Sequence, residues 1–156
     1  MNLNKLKQFL IYSNKAGYSG GKEKSWIKES DGSTSIMAKK GYWKSHDNFF
    51  GGEPYGGRTI VFYKNKPFWI MVYYGIVINE IKIDSVYRVL RNALIKMPGD
   101  YPYRGPKKYK ENNYIYQNIW NGKIDRFSGE EKIIISNKLI YNANYFGGLV
   151  DVKKGI

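Results

Sequence analysis

His46 and Asp47 stand side by side in SHDNFFGGEPYGGRT, residues 45–59, a stretch that also holds Glu53, Tyr55 and Arg58. An imidazole and a carboxylate are the partners that acid–base chemistry uses, one moving a proton and the other orienting the ring. Neighbouring residues on a strand point to opposite faces, however, so this pair is poorly built as a base and its orienter. His46, Asp47 and Glu53 would offer a metal one nitrogen and two oxygens, but no second histidine and no usual ligand spacing accompanies them. No metal and no cofactor is therefore expected. The run from Gly51 to Gly57, GGEPYGG, precedes no helical pattern and is followed by no Lys-Ser or Lys-Thr, which excludes a Walker-type phosphate loop. Its glycines suit a turn or bulge with positive φ that brings Glu53 and Tyr55 to the rim of a groove.

Aromatic residues make up 17% of the chain, more rings than a small core needs. In FWIMVYYG, Phe68, Ile70, Val72 and Tyr74 alternate with Trp69, Met71 and Tyr73, so both faces of that strand are apolar. The first set is expected beneath helices, and the second to line a groove on the open face of the sheet. Aromatic walls with a few carboxylates bind small planar or cationic ligands through stacking and cation–π attraction. The expected ligand-binding residues are Asp47, Glu53, Tyr55, Trp69, Tyr73, Arg104 and Glu131. Arg104, held between prolines in PYRGP, suits a fork onto a carboxylate or phosphate, or a salt bridge to the other half of the chain. The competing expectation is that the second face is covered by residues 19–40 or by a second copy in a homodimer.

These residues need a scaffold of helix and meander. Leu3, Leu6, Phe9 and Leu10 recur at helical spacing and predict a helix near residues 2–15; Val86, Val89, Leu90, Ala93 and Leu94 predict another over 83–97, ended by Pro98-Gly99. Residues 19–40 read as a loop with one weak strand around Trp26. A first meander has its hairpin turn at Lys64–Pro67, and a second has turns at Asn121-Gly122 and Asn137-Lys138. Gly57, Asn65, Lys66, Tyr73 and Gly75 echo Gly129, Asn137, Lys138, Tyr145 and Gly147 at a separation of 72 positions. Tyr55 likewise echoes Phe127, Trp69 echoes Tyr141, and Tyr74 echoes Phe146. The expected fold is α+β: one domain over 1–156, a curved antiparallel sheet of about 6–8 strands with two helices on one face. Its pseudo-duplicated helix-plus-meander halves are about 1–80 and 81–152.

With no cysteine, disulfides and thiolate sites are excluded, and a reducing cytoplasm is the expected location. The N-terminal stretch reads as an amphipathic helix rather than a signal peptide, and no apolar run reaches membrane-spanning length. The formal charge of +13 is spread along the chain, with one cluster at Lys107, Lys108 and Lys110. That cluster, with stacked aromatics, carries the alternative of a nucleic-acid-associated regulatory protein. The other alternative is an enzyme using Asp47, Glu53 and Arg104.

Taken together, GYWKSHDNFFGGEPYGG, KPFWIMVYYG, YRGP, FSGEEKI and YFGG resemble an uncharacterised prokaryotic domain-of-unknown-function family, over residues from about 41 to 149. Its members stand alone or follow an XRE-type helix-turn-helix domain. The resemblance implies a compact domain sometimes coupled to a DNA-binding partner, and it assigns no catalytic residue. Ahead of residue 41 the pattern holds one helix and no helix-turn-helix bundle, so direct DNA binding is not expected. The reading from the residues is a non-enzymatic small-ligand-binding or sensory domain.

Overall fold

The computed structural model describes residues 2–18, 26–78 and 83–153. Two helices, α1 (Leu3–Tyr18) and α2 (Ile83–Ile95), accompany nine strands: β1 (Trp26–Lys28), β2 (Thr34–Lys40), β3 (Trp43–Gly51), β4 (Tyr55–Tyr63), β5 (Lys66–Val77), β6 (Lys108–Glu111), β7 (Tyr114–Lys123), β8 (Arg126–Ile135) and β9 (Lys138–Leu149). The fold is α+β, with more strands than the sequence suggests. All nine lie in one antiparallel sheet of order β1-β2-β3-β4-β5-β9-β8-β7-β6.

Asn2 accepts a hydrogen bond from the Asn4 N–H through its side chain and caps α1, while Leu6, Phe9 and Leu10 turn inward. Asp84 sits in the first turn of α2, where the helix dipole favours a negative charge, and Val86, Val89, Leu90, Ala93 and Leu94 are buried as their spacing requires. The helix stops before Pro98, whose ring disfavours helical geometry in the residue ahead of it.

With the short edge strand β1 set aside, the strand order is symmetric about the β5–β9 pair. Lys64 and Asn65, with φ of 49° and 63°, turn β4 into β5; Ser136 and Asn137, with φ of 46° and 63°, turn β8 into β9. Paired positive φ values make the tight turn whose twist matches a hairpin. The β4–β5 register shifts between Val61 and Phe62, which leaves Phe68 as the extra residue of a bulge in β5, and the β8–β9 register shifts between Ile133 and Ile134, which leaves Ile140 as the extra residue in β9. Both repeats fall at the 72-position spacing. Tyr73 lies directly opposite its counterpart Tyr145 in the β5–β9 ladder, so the point of symmetry passes between them.

Four expectations are corrected. Residues 34–40 form β2 rather than loop, because Ser33 and Ser35 find hydrogen-bond partners in Asn48 on β3; residues 19–25 lie outside the described residues. The Asn121-Gly122 turn falls instead at Ile124-Asp125: Gly122, at φ 89°, stays within β7, and its missing side chain leaves room for the Arg126 carbonyl. The last turn begins one residue earlier than expected, at Ser136. Most consequential, Trp69, Met71 and Tyr73 face the helices, while Ile70, Val72 and Tyr74 take the outer face. With both sets apolar, alternation alone could not assign them. Phe68 is also buried, because the bulge at Val61/Phe62 breaks the alternation and tucks it against Trp43.

Candidate functional site

Between the helices and the sheet lies a cleft of about 380 Å³. Leu10, Ser13 and Asn14 of α1 and Tyr87, Leu90 and Leu94 of α2 form its upper walls, and Pro102, Tyr103 and Arg104 close one side. Its floor is Asp47, Thr59, Trp69, Met71 and Tyr73. The indole of Trp69 is fully buried, donates through Nε1 to the Ile124 carbonyl at 2.9 Å and stacks on Phe127 at 5.5 Å. Tyr103 stacks on the same ring at 4.1 Å. Its hydroxyl is the buried side-chain polar atom without a partner among the described residues, and burial, with Tyr101 and Asp125 nearby, pushes its pKa up to about 12.

Asp47 is the carboxylate of this floor. Tyr73 and Thr59 both donate to its Oδ1, at 2.7 and 2.9 Å, whereas Oδ2 takes no hydrogen bond from the described residues and is open to the cleft. Burial holds this carboxyl above the usual range; the hydrogen bonds of Tyr73 and Thr59 and the charge of Arg104 pull the other way and do not prevail. The symmetric position is occupied by Asn118, to whose Oδ1 Tyr145 donates at 2.7 Å. The two halves thus repeat one tyrosine hydrogen bond, but only the first places a charge there.

Arg104 enters over the centre of the sheet. Its Nε donates to Glu131 at 2.6 Å, its Nη2 donates to the Tyr55 hydroxyl at 3.2 Å, and its guanidinium lies 5.4 Å from the Tyr73 ring centre. Glu131, fully buried beneath the cleft, also accepts from Tyr116 at 2.5 Å. Two donors and a counter-charge make its burial tolerable. The hydroxyls of Tyr55 and Tyr141 meet at 2.5 Å. Glu53, in the β3–β4 turn, accepts from the Val77 N–H at 2.7 Å and from the Tyr87 hydroxyl, fastening that turn to β5 and α2. Burial, and then Glu53, drives the Tyr87 phenol well above its ordinary pKa.

Residues 47–150 match the family described as a domain of unknown function, DUF5680. The chain belongs to that family. No curated protein and no solved structure matches it. The DUF5680 segment begins at Asp47 and runs to the end of β9, so it holds the floor of the cleft, α2 and the Arg104–Glu131 pair, while α1 and β2 lie ahead of it.

Within this DUF5680 fold, Asp47, Tyr55, Trp69, Tyr73 and Arg104 share the cleft, Glu131 lies directly under it, and Glu53 reaches it through Tyr87. The cleft is on the helix-covered face, not the open one, and Trp69 is its buried floor rather than part of a groove on the open face. His46 points to the other face, where its Nε2 meets the Ser35 hydroxyl at 2.9 Å. Lys108 and Lys110 lie exposed on the edge strand β6, outside the cleft lining, where lysines discourage pairing with another strand; Lys107 rests 5.6 Å from the Trp120 ring centre. Gly51 has the expected positive φ, 78°. Gly56 does not, and is confined instead by the Tyr74 ring.

Sequence reasoning missed Thr59, Tyr87, Tyr103, Tyr116 and Tyr141. Two signals pointed to some of them: Tyr103 adjoins Arg104 in PYRGP, and Tyr141 is the counterpart of Trp69. Tyr87 was hidden by its own helix, being one ring beside a row of aliphatic core positions.

Proposed function

We propose that the cleft binds a small molecule with a flat or apolar body and a positively charged group, the ammonium or ring cation resting on Asp47. The observation that carries this reading is Oδ2 of Asp47, a carboxylate oxygen with no hydrogen-bond partner among the described residues, opening into a space walled by Tyr55, Trp69, Tyr73, Tyr87 and Tyr103. Arg104 offsets that charge only in part, because it is itself paired with Glu131 at 2.6 Å. Desolvated cation–π contacts add up to about 2 kcal/mol, and 380 Å³ falls in the range of small-molecule sites. A resident cation would also offset the cost of holding Asp47 ionised away from water. The repeated turns, bulges and tyrosine bonds support descent of the two halves from one duplicated unit, with binding at the junction between them. A sensory role, with the cleft reporting to a partner domain, fits that arrangement by analogy with duplicated α+β ligand-binding modules attached to some regulators. We place its work in the cytoplasm; among the described residues no helix is long and apolar enough to cross a membrane.

The reading is tested with dimethylaminoethyl-naphthalene, a cation on an apolar ring, against naphthalene itself. A ligand at one hundred times its Kd stabilises the native state by about 2.7 kcal/mol, which for a chain of this size raises Tm by roughly 5–10 °C. The cation should produce that shift and naphthalene a much smaller one. Equal shifts from both, or none from either, would end the assignment.

A further inference from the structure

The network behind Asp47 leaves one hydrogen without an acceptor among the described residues. Arg104 has only donors, so its contact with Tyr55 occupies one lone pair of that hydroxyl oxygen. One of Tyr55 and Tyr141 must donate to the other. Were Tyr55 the donor, the hydrogen of Tyr141 would be stranded in the core, because Tyr141 is fully buried and Tyr55 is its hydrogen-bond partner among the described residues. With Tyr141 donating, both lone pairs of Tyr55 are filled, by Arg104 and by Tyr141. The leftover hydrogen then sits on Tyr55, the member of the pair that lines the cleft.

Tyr55 is also held still. Its ring end lies over Gly75, where a side chain would collide with it at 2.7 Å, and its ring centre is 6.0 Å from those of both Tyr73 and Tyr87. A guanidinium donating to the phenol oxygen polarises the O–H and strengthens it as a donor. Tyr73 links the two ends of the site, its hydroxyl on Asp47 and its ring beside Tyr55.

We propose that the Tyr55 hydroxyl is a poised hydrogen-bond donor and sets the specificity of the cleft: the ligand carries an acceptor, a carbonyl oxygen or ring nitrogen, besides its cationic group. The ligand class is then a flat heteroaromatic or aryl-carbonyl amine. This inference rests on the cation reading of the same cleft.

The test compares dimethylaminoethyl-naphthalene with dimethylaminoethyl-naphthalimide, which adds ring carbonyls, by calorimetric titration of the full chain and of its Y55F and Y141F variants. The wild type should bind the naphthalimide about three- to tenfold more tightly, the range of one neutral hydrogen bond. Y55F should lose this preference and bind both probes alike. Y141F, which leaves the Tyr55 hydrogen in place, should keep a preference for the naphthalimide. Equal wild-type affinities would overturn the donor assignment and leave cation binding standing. A preference that arises only in Y141F would mean that Tyr55 had been donating to Tyr141, and would overturn it too. Binding of neither probe would remove the cation reading and this inference together.

Discussion

Replacing Asp47 by Asn separates the charge of the cleft from its hydrogen bonding. An Asn Oδ1 can still accept from Tyr73 and Thr59, and its amide takes the place of Oδ2, so the floor keeps its shape. What disappears is the negative charge. A hydrogen bond to a charged group contributes about 1.5–3 kcal/mol, so D47N should weaken binding of dimethylaminoethyl-naphthalene roughly 10- to 100-fold. Stability should move the other way. Because burial raises the native pKa of Asp47, the folded chain holds a proton over a range where the unfolded chain has released it, and this group's contribution declines as pH rises through the raised value. Above that raised value the ionised carboxylate is a cost, and there D47N should melt at the same temperature as the wild type or higher, with the gap closing as pH falls. Calorimetric titration and thermal melts between pH 4 and pH 8 read both effects. A variant that melts several degrees lower and binds the cation as well as the wild type would refute the reasoning, because Asp47 would then be a structural acceptor and nothing more.

Arg104→Met would leave Glu131 fully buried against Tyr116 without its counter-charge, and should cost about 3–5 kcal/mol in urea unfolding; a loss below about 1 kcal/mol would show that the ion pair does not hold the centre together. Trp69→Leu should reduce both stability and probe affinity, since Trp69 packs on Phe127 and bonds Ile124 beneath the cleft. The stability loss should approach the about 3–5 kcal/mol of buried aromatic truncations. A fall in affinity with an unchanged unfolding midpoint would show that Trp69 contacts the probe without holding the core.

The elements with strong periodicity were readable. The aliphatic spacing of α2 placed its five buried positions, and the 72-position echo announced two halves joined in one sheet, whereas the ladder in which Tyr73 meets Tyr145 came from the structure. Strand β2 was not readable, because TSIMAKK is held by partners on β3 rather than by its own propensity. The Asn121-Gly122 pair misled because Asn-Gly commonly marks a two-residue turn, whereas here the glycine serves a close approach inside β7. The residues of the candidate site were found by chemical type, yet their face was not. Trp69, Met71 and Tyr73 are no more apolar than Phe68, Ile70 and Val72, and the choice between the sets is made by where α1 and α2 dock. The equivalence of Asp47 with Asn118 was also beyond sequence reach: they lie 71 positions apart, one short of the repeat, and only the strand register aligns them.

The most direct measurement is a crystal structure of the chain grown with dimethylaminoethyl-naphthalene at saturating concentration. The account predicts the naphthalene ring between α1, α2 and the floor at Trp69 and Tyr73, with the ammonium within hydrogen-bonding distance of Asp47 Oδ2. Density for the probe on the outer sheet face beside Val72 and Phe146, or an ammonium turned away from Asp47, would contradict it.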